Sequence, residues 1–293
     1  MTPPLEQLLG DPPLLKEHIL QSLAEVNRRR GLFPKGVSRF EGTSSVLFLM
    51  GPHCVEGRGR GEACVILNKR SRWVKQPGDL CFPGGRVDSG FDSRTARLLT
   101  LPGTPLAGWR YWAEWRRLRP GQARRLALLL AAGLREGVEE MRLNPLWVRF
   151  LGPLPPQELV MYDRVIYPMV GWVERQKRFF PNWEVERVVY VPLKALLTPE
   201  NYGLYRIRFQ RREDEEDGAP EIKELPCFIL DSGFGREILW GATYRIVAAF
   251  LNEVFGFNPP GRGSLPLVHG TLGPDYFLGY EARGRMKGEP GEA

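Results

Sequence analysis

Hydrophobic and polar positions follow two different periods along the chain. Between residues 12 and 30 an apolar residue recurs every three or four positions, which predicts a helix that ends before Gly31. The same spacing predicts helices over residues 122–143 and 242–254. Short apolar runs predict strands at 45–50, 63–67, 150–154, 165–173, 187–191, 226–230 and 237–240. This mixture indicates an α+β or α/β sandwich in which helices cover a sheet.

Four segments lack such a period. The turn-rich residues 51–62 predict a flexible hairpin loop between the first two strands. Residues 89–120 are predicted to be irregular, and residues 211–217 to be a charged, solvated hairpin tip. The residues from 281 onward have the composition of a disordered tail.

The composition is that of a globular protein with a substantial core. The 293 residues are 43% hydrophobic and 26% charged, which fits one large domain or one domain with additions. The formal charge of +7, from 41 basic and 34 acidic residues, is compatible with a phosphate-bearing partner but too diffuse to identify one.

The cysteines and the first residues of the chain indicate an intracellular protein. The cysteines form no paired motif and, with only three histidines, show no zinc-ligand spacing; they are Cys54, Cys64, Cys81 and Cys227. Scattered cysteines fit reduced thiols. We see no signal peptide, and the longest apolar run, residues 126–134, is too short to span a bilayer. The expected location is the cytoplasm.

Three carboxylates share one face of the predicted helix over residues 122–143. Glu136, Glu139 and Glu140 are spaced i, i+3 and i+4, within about one turn of each other. Carboxylates held this close repel unless a positive charge lies over them. A hard divalent cation such as Mg²⁺ prefers oxygen ligands and usually also takes water and substrate phosphate oxygens. The alternative is a solvated helix face, on which Glu is common.

The residues around this cluster resemble the signature of the Nudix hydrolase family, G-x5-E-x7-R-E-U-x-E-E-x-G-U, where U is aliphatic. Gly85 matches the first glycine, and Arg135, Glu136, Glu139 and Glu140 match the R-E-x-x-E-E core. The resemblance implies an enzyme that uses Mg²⁺ or Mn²⁺ to hydrolyse a diphosphate linkage. Glu136 would ligate metal or assist the attacking water, and Glu139 and Glu140 would ligate metal. Arg135 would orient these carboxylates, and the carbonyl of Gly85 would join the metal shell.

The chain departs from this signature in three places. Between the matched glycine and the matched arginine lie 49 residues where the pattern has 13, so 36 are inserted before the helix. Phe91 stands at the first signature glutamate, for which Asp88 or Asp92 is a candidate substitute. Arg142 stands at the last signature glycine. A loop could absorb the insertion at a modest entropic cost.

Residues 66–85, ILNKRSRWVKQPGDLCFPGG, are similar to the motif of coenzyme A pyrophosphatases, LLTxRSx3Rx3Gx3FPGG, a branch of the same family. Asn68 stands at the threonine and Lys75 at the second arginine, with one residue fewer before the next glycine. Basic side chains here suit a substrate with an extra 3′-phosphate. The alternative is a basic β-turn. The resemblance implies substrate contacts by Arg70, Ser71, Lys75, Phe82 and Gly84.

The C-terminal half contains two further segments similar to this branch. They are EVERVVYVPL at residues 184–193 and LWGAT at residues 239–243. Glu184 or Glu186 could supply a catalytic carboxylate from outside the helix. The alternative is that Glu184 serves as a structural cap or ion-pair partner.

Aromatic residues and arginines alternate in residues 109–120, WRYWAEWRRLRP. Such a segment could stack an adenine, bind single-stranded nucleic acid or cover the site as a lid. We favour packing against the domain or a second subunit, because Trp109, Trp112 and Leu118 could share one helical face. Trp183 and Trp240 are expected in the core, and the alternative is that they are platforms for an adenine.

The resemblance implies a Nudix α/β/α sandwich with a mixed sheet over residues 41–258, with an insertion at 89–121. Residues 1–40 would be an N-terminal helical extension and residues 259–293 a C-terminal tail. Coenzyme A or a derivative would be cleaved to 3′,5′-ADP and 4′-phosphopantetheine. ADP-ribose, a dinucleotide polyphosphate or capped RNA stay open as substrates, as does a binding module without turnover. The expected partner is a small nucleotide rather than nucleic acid or a membrane, and a homodimer stays open.

Overall fold

The computed structural model describes residues 3–30, 42–53, 61–159, 164–210, 221–232 and 235–277. Most of the predicted hairpin loop at 51–62, the charged segment at 211–217 and the tail from 281 lie outside these ranges, so the predictions made for them stay predictions.

Each of the three predicted helices and seven predicted strands has a counterpart in the structure, and the described residues contain four further helices and five further strands. The described helices are α1 (Leu5–Gly10), α2 (Pro12–Arg30), α3 (Phe91–Leu98), α4 (Trp112–Leu118), α5 (Pro120–Met141), α6 (Leu193–Leu196) and α7 (Gly241–Phe255). The described strands are β1 (Thr43–His53), β2 (Glu62–Arg70), β3 (Leu80–Cys81), β4 (Gly84–Arg86), β5 (Val148–Pro153), β6 (Gln157–Leu159), β7 (Arg164–Val173), β8 (Val185–Pro192), β9 (Tyr202–Phe209), β10 (Ile222–Ser232), β11 (Gly235–Leu239) and β12 (Leu267–Leu272).

A mixed sheet organises the structure. Its strands follow the order β3-β2-β1-β7-β5, with β4 also paired to β1, β6 to β7 and β8 to β2. Strand β1 runs parallel to β7 but antiparallel to β2 and β4. A second sheet has the order β11-β10-β9-β12, in which β12 is parallel to β9.

Apolar residues of β1 alternate between the two faces of the main sheet, since successive side chains of a strand point in opposite directions. Phe48 and Met50 belong to one core with residues of α2 and α7. Leu47 and Leu49 belong to the other core with residues of α3, α4 and α5. Helices therefore cover both faces, and the predicted α/β/α sandwich with a mixed sheet is confirmed.

The prediction that residues 89–120 are irregular is wrong, because this segment contains α3 and α4. Its aromatic residues are buried: Trp109, Trp112 and Trp115 all belong to the core beneath α5. The expectation of packing thus agrees with the structure, except that Leu118 is exposed and Trp115 takes its place. Repeated tryptophans provide enough apolar area to fold this segment onto the domain.

Two further observations concern exposure. The expectation that Trp183 lies in the core is wrong, because the residue is exposed, whereas Trp240 is partly buried. Among the described helices, no segment has the length and apolar character needed to cross a lipid bilayer.

Candidate active site

Helix α5 ends at the predicted carboxylate cluster. The helix runs to Met141, and Arg142 caps it in the left-handed conformation with φ of 52°. This is the position at which the signature has glycine, the residue that adopts positive φ without strain. The departure at Arg142 therefore leaves the end of the helix in place, at the cost of a strained backbone conformation.

Glu136 lies directly against Gly85 of β4. A Cβ atom added to Gly85 would fall 2.7 Å from Cδ of Glu136, so a larger residue here would require the Glu136 carboxylate to move. Arg135 pairs with Glu136 at 3.0 Å from Nη1 to Oε1. Burial raises the pKa of Glu136, the charge of Arg135 opposes this rise, and Glu139 adds to it.

Glu140 is buried and accepts hydrogen bonds from two neutral donors. Nδ2 of Asn68 donates to Oε2 at 2.7 Å, and the amide of Gly84 donates to Oε1 at 3.3 Å. Burial raises the pKa of Glu140 to about 7, against these two hydrogen bonds, and the charges of Glu136 and Glu184 raise it further. Within the described part of the chain, no basic side chain pairs with Glu140.

Arg135 connects α5 to the inserted segment. Its Nε donates to Oδ1 of Asp92 at 2.9 Å, and its Nη2 donates to the carbonyl of Arg86 at 3.0 Å. Its Nη1 donates to Oε2 of the exposed Glu139 at 3.1 Å. Burial alone would lower the pKa of Arg135, but the hydrogen bond with Asp92 and the charges of Glu136 and Glu139 raise it above its ordinary value.

Of the two candidates for the missing signature glutamate, Asp92 is the residue on Arg135. Asp92 is fully buried, and its second oxygen accepts a hydrogen bond from the amide of Asp88 at 2.7 Å. Asp88 instead caps the start of α3, because its Oδ1 accepts from the amides of Gly90 and Phe91. The sequence alone left both candidates open, because their positions depend on how the insertion folds.

Glu184, one of the two candidates for a carboxylate from outside α5, lies directly before β8. Its carbonyl accepts a hydrogen bond from the amide of Ser71 at 2.8 Å. The charge of its side chain raises the pKa of both Glu136 and Glu140. The alternative candidate, Glu186, forms an ion pair with its neighbour Arg187.

The predicted substrate contacts lie at different places in the structure. Arg70 and Ser71 lie at the end of β2, where Nε of Arg70 donates to the carbonyl of the exposed Lys75 at 2.6 Å. Gly84 lies under Glu140 as described above. The expectation that Phe82 contacts substrate is wrong, because it is 3% exposed and its ring packs against Phe48 with centroids 4.5 Å apart.

The donor chemistry of this site fits a hard divalent cation. Carboxylates of Glu136, Glu140 and Glu184 act on one another electrostatically, and Oδ1 of Asn68 is buried with no donor among the described residues. These are oxygen ligands with excess negative charge, the type that Mg²⁺ and Mn²⁺ prefer. Across the described ranges, however, no three acidic, His or Cys side chains are close enough to form a ready-made metal site. Glu139 is the carboxylate that has turned away, toward Arg135.

The comparison with known proteins agrees with the motifs. No profile of a known protein family matches the chain. The uncharacterized Nudix hydrolase NudL of Pectobacterium atrosepticum is 28% identical over 120 residues, which cover 41% of this chain and 55% of that protein. The peroxisomal coenzyme A diphosphatase NUDT7 of Mus musculus is 27% identical over 144 residues, covering 48% and 46% of the two chains. The chain thus spans about half the length of these two relatives.

A third relative matches over a longer region. The uncharacterized Nudix hydrolase NudL of an Enterobacter species is 26% identical over 202 residues, covering 68% of this chain and 79% of that protein. A solved Nudix hydrolase from M. smegmatis, RenU, has a TM-score of 0.31 at 17% identity, over 51% of this chain and 70% of that one. Over the matched regions the chain is similar in sequence to Nudix hydrolases, as its motifs predict.

Proposed function

We propose that the protein is a metal-dependent pyrophosphohydrolase that cleaves the diphosphate linkage of a nucleoside diphosphate derivative. The observation that carries this proposal is the contact between the glutamates of α5 and the glycine pair of β4. Glu136 and Glu140 meet Gly85 and Gly84 there, with the charge of Glu184 nearby and no basic partner for Glu140 among the described residues. Like charges gathered and partly buried in this way indicate a functional site.

The metal would be Mg²⁺ or Mn²⁺, held by Glu136, Glu139 and Glu140 with the carbonyl of Gly85. When bound, such an ion supplies positive charge that stabilises the diphosphate oxygens as water attacks phosphorus. Glu139 would join the set by leaving its ion pair with Arg135, in which the Glu139 side chain is 54% exposed.

The chain's own residues would orient the water and the substrate. Arg135 fixes the end of α5 to the insertion through Asp92, so that Glu136 keeps its position over Gly85. Glu136, whose pKa is raised by burial, would accept the proton of the attacking water near neutral pH. Glu184 is the alternative acceptor. Glu184 lies directly before β8 and so would act from a different element than α5.

Coenzyme A or a derivative is the substrate we propose first, with 3′,5′-ADP and 4′-phosphopantetheine as products. Two findings support it: the partial motif with Arg70, Ser71 and Lys75, in which the Ser71 amide is bonded to the carbonyl of Glu184, and the similarity to a coenzyme A diphosphatase. Guanidinium and ammonium groups at this position would bind the 3′-phosphate. ADP-ribose, a dinucleotide polyphosphate or capped RNA would use the same carboxylates with a different contact here.

The test is a substrate panel with Mg²⁺ or Mn²⁺, comparing coenzyme A, its 3′-dephospho form, ADP-ribose, a diadenosine polyphosphate and capped RNA. We expect turnover of coenzyme A to exceed that of the 3′-dephospho form. Glu139→Gln and Glu140→Gln should each lose most turnover without unfolding, whereas Glu200→Gln, an exposed glutamate far along the chain, should not. Turnover within a few-fold of wild type in both variants would refute the metal role. No phosphate release from any nucleotide would favour the binding module.

The remaining features are proposed on the same basis. We propose a cytoplasmic protein whose partner is a small nucleotide, without nucleic acid, and a homodimer stays open. The domain limits at 1–40, 41–258 and 259–293 also remain a proposal. Within the last of these ranges, β12 pairs with β9 over residues 267–272.

A further inference from the structure

The loop that precedes β8 is fixed to the carboxylate end of α5. The amide of Phe180 donates to the carbonyl of Met141 at 3.1 Å, and the amide of Asn182 donates to the carbonyl of Glu140 at 2.9 Å. Oδ1 of Asn182 in turn accepts from the amide of Glu184 at 2.8 Å. Trp183 therefore lies between Asn182, whose amide is bonded to the carbonyl of Glu140, and Glu184, whose charge acts on the Glu140 carboxylate.

The side chain of Trp183 is turned toward solvent although its backbone is held in place. It is 65% exposed, and Phe180 in the same loop is 58% exposed. Tryptophan is strongly buried on average, and two large aromatic side chains exposed on one short, hydrogen-bonded loop are not explained by packing. The loop itself is explained by its bonds to α5, so the exposed rings are available for another purpose.

The segment that follows β2 carries basic and aromatic side chains. Strand pairing sets Arg70 against Val185, and the amide of Ser71 bonds to the carbonyl of Glu184, so the residues after Ser71 face the loop of Trp183. Arg72 there lies over the ring of the 40%-exposed Trp73, at 4.4 Å from the guanidinium carbon to the ring centre. A cationic and an aromatic side chain thus follow directly after Ser71, whose amide is bonded to the carbonyl of Glu184.

We propose that Trp183 is a stacking platform for the base of a nucleotide whose diphosphate lies at the carboxylates. This inference rests on the proposed function and adds a contact for the nucleoside part of the substrate. Trp183 and Glu184 are neighbours, with Cα atoms about 3.8 Å apart, and in a nucleotide only the ribose separates the base from the diphosphate. An indole ring stacks on any base, and a cation beside it suits the phosphates.

The test measures binding with two probes that cannot be hydrolysed, α,β-methylene-ADP and methylenediphosphonate, by calorimetry in Mg²⁺. Both present a diphosphate-like group, but only the first carries a base. In Trp183→Ala we expect the Kd for α,β-methylene-ADP to rise about tenfold or more, because base stacking has that value in alanine substitutions. The Kd for methylenediphosphonate should stay within about twofold of wild type, since stacking does not act on it. Trp183→Phe should keep most of the affinity, because it retains an aromatic face.

Trp147 provides the matched control. It is an exposed tryptophan, at 41%, in the single turn of 3-10 helix after α5, and Trp147→Ala should leave both affinities unchanged. An equal loss for both probes in Trp183→Ala would indicate a structural role and overturn the platform. Unchanged binding of α,β-methylene-ADP, or no binding by the wild type, would overturn it as well.

Failure of the platform can be told apart from failure of the proposed function. Hydrolysis of nucleotides by a Trp183→Ala variant with unchanged affinity removes the platform and leaves the activity. Base-dependent binding that requires Trp183, in a wild type that hydrolyses nothing on the substrate panel, supports the platform and removes the activity.

Discussion

Two carboxylates in this protein, the buried Glu140 and the half-buried Asp79, meet very different surroundings. Burial raises the pKa of Glu140 to about 7 and that of Asp79 to about 6. Asp79 accepts hydrogen bonds from Nε1 of Trp240, at 3.1 Å, and from the hydroxyl of Tyr276. Like Glu140, it is therefore bonded to neutral donors, and burial and hydrogen bonding alone do not separate the two residues.

The difference lies in the charges nearby. The charge that acts on Asp79 is that of Arg70, which lowers its pKa, whereas Glu136 and Glu184 raise the pKa of Glu140. Asp79 thus has the surroundings of a structural residue. Its hydrogen bonds join the loop after β2 to Trp240, before α7, and to Tyr276, after β12. Glu140 lies among like charges that only a proton or a cation makes favourable, which is the arrangement expected of a ligand site.

The difference between Glu140 and Asp79 is tested most directly by neutralising each carboxylate and measuring turnover. Glu140→Gln should lower kcat/KM by about 100-fold or more, because losing a metal ligand removes several kcal/mol of charge stabilisation. Asp79→Asn should stay within a few-fold of wild type, since Asn can keep both bonds, accepting from Trp240 and donating to Tyr276. Similar losses of turnover in the two variants would show that the neighbouring charge does not separate the two sites.

The contact between α5 and β4 offers the next test. In Gly85→Ala the new Cβ would fall 2.7 Å from Cδ of Glu136, so the glutamate must move. We expect turnover to fall by about 10- to 100-fold, because displacements near 1 Å have that effect on catalytic geometry. Gly121→Ala, on α5, is the matched control, because no atom lies within 4 Å of its added Cβ. Wild-type turnover in Gly85→Ala would separate this contact from the chemistry.

The elements and the carboxylates could be predicted from the sequence because both depend on local spacing. The 3.6-residue period placed α2, α5 and α7 correctly, and the i, i+4 spacing put Glu136 and Glu140 on the same side of α5. Glu139 is adjacent in sequence to Glu140, but it turned to Arg135, because a nearby guanidinium attracts an exposed carboxylate.

What could not be predicted depends on contacts between distant segments. Asp79 meets Tyr276 across 197 positions, and no local pattern in a region expected to be a tail signals this bond. The role of Asp92 depends on α3, which packs into the same core as α5 through Ala96 and Leu99. Trp183 was expected in the core from its residue type alone, whereas the bonds of its loop to α5 leave it outside.

The ion pair between Asp92 and Arg135 is the third test, and its expected effect is on stability. Asp92→Asn removes the charge from a fully buried partner of Arg135 and should lower the free energy of unfolding by about 2 kcal/mol, the value of a hydrogen bond to a charged group. Urea unfolding measures this change. Asp88→Asn, at the exposed cap of α3, should cost less, and an equal cost would contradict the special position of Asp92.

The smallest effect concerns pH and returns to Asp79. Its pKa is raised from an ordinary 3.8 to about 6, so the native protein must ionise a buried acid that the unfolded chain ionises more easily. Wild type should therefore lose stability relative to Asp79→Asn as the pH rises from about 4 through about 6, and show no further difference above that.

The size of that loss should be about 1 to 2 kcal/mol, since one pKa unit corresponds to about 1.4 kcal/mol and partial access of solvent reduces the full effect. Urea unfolding of metal-free protein at either end of this pH range measures it. Glu140 also titrates in this range, but it is present in both proteins and cancels from their difference. A difference that grows in favour of wild type as the pH rises would mean that Asp79 is stabilised as an anion, by Arg70. In that case the charge of Arg70 would outweigh burial at Asp79, whereas at Glu140 burial and the neighbouring charges raise the pKa together.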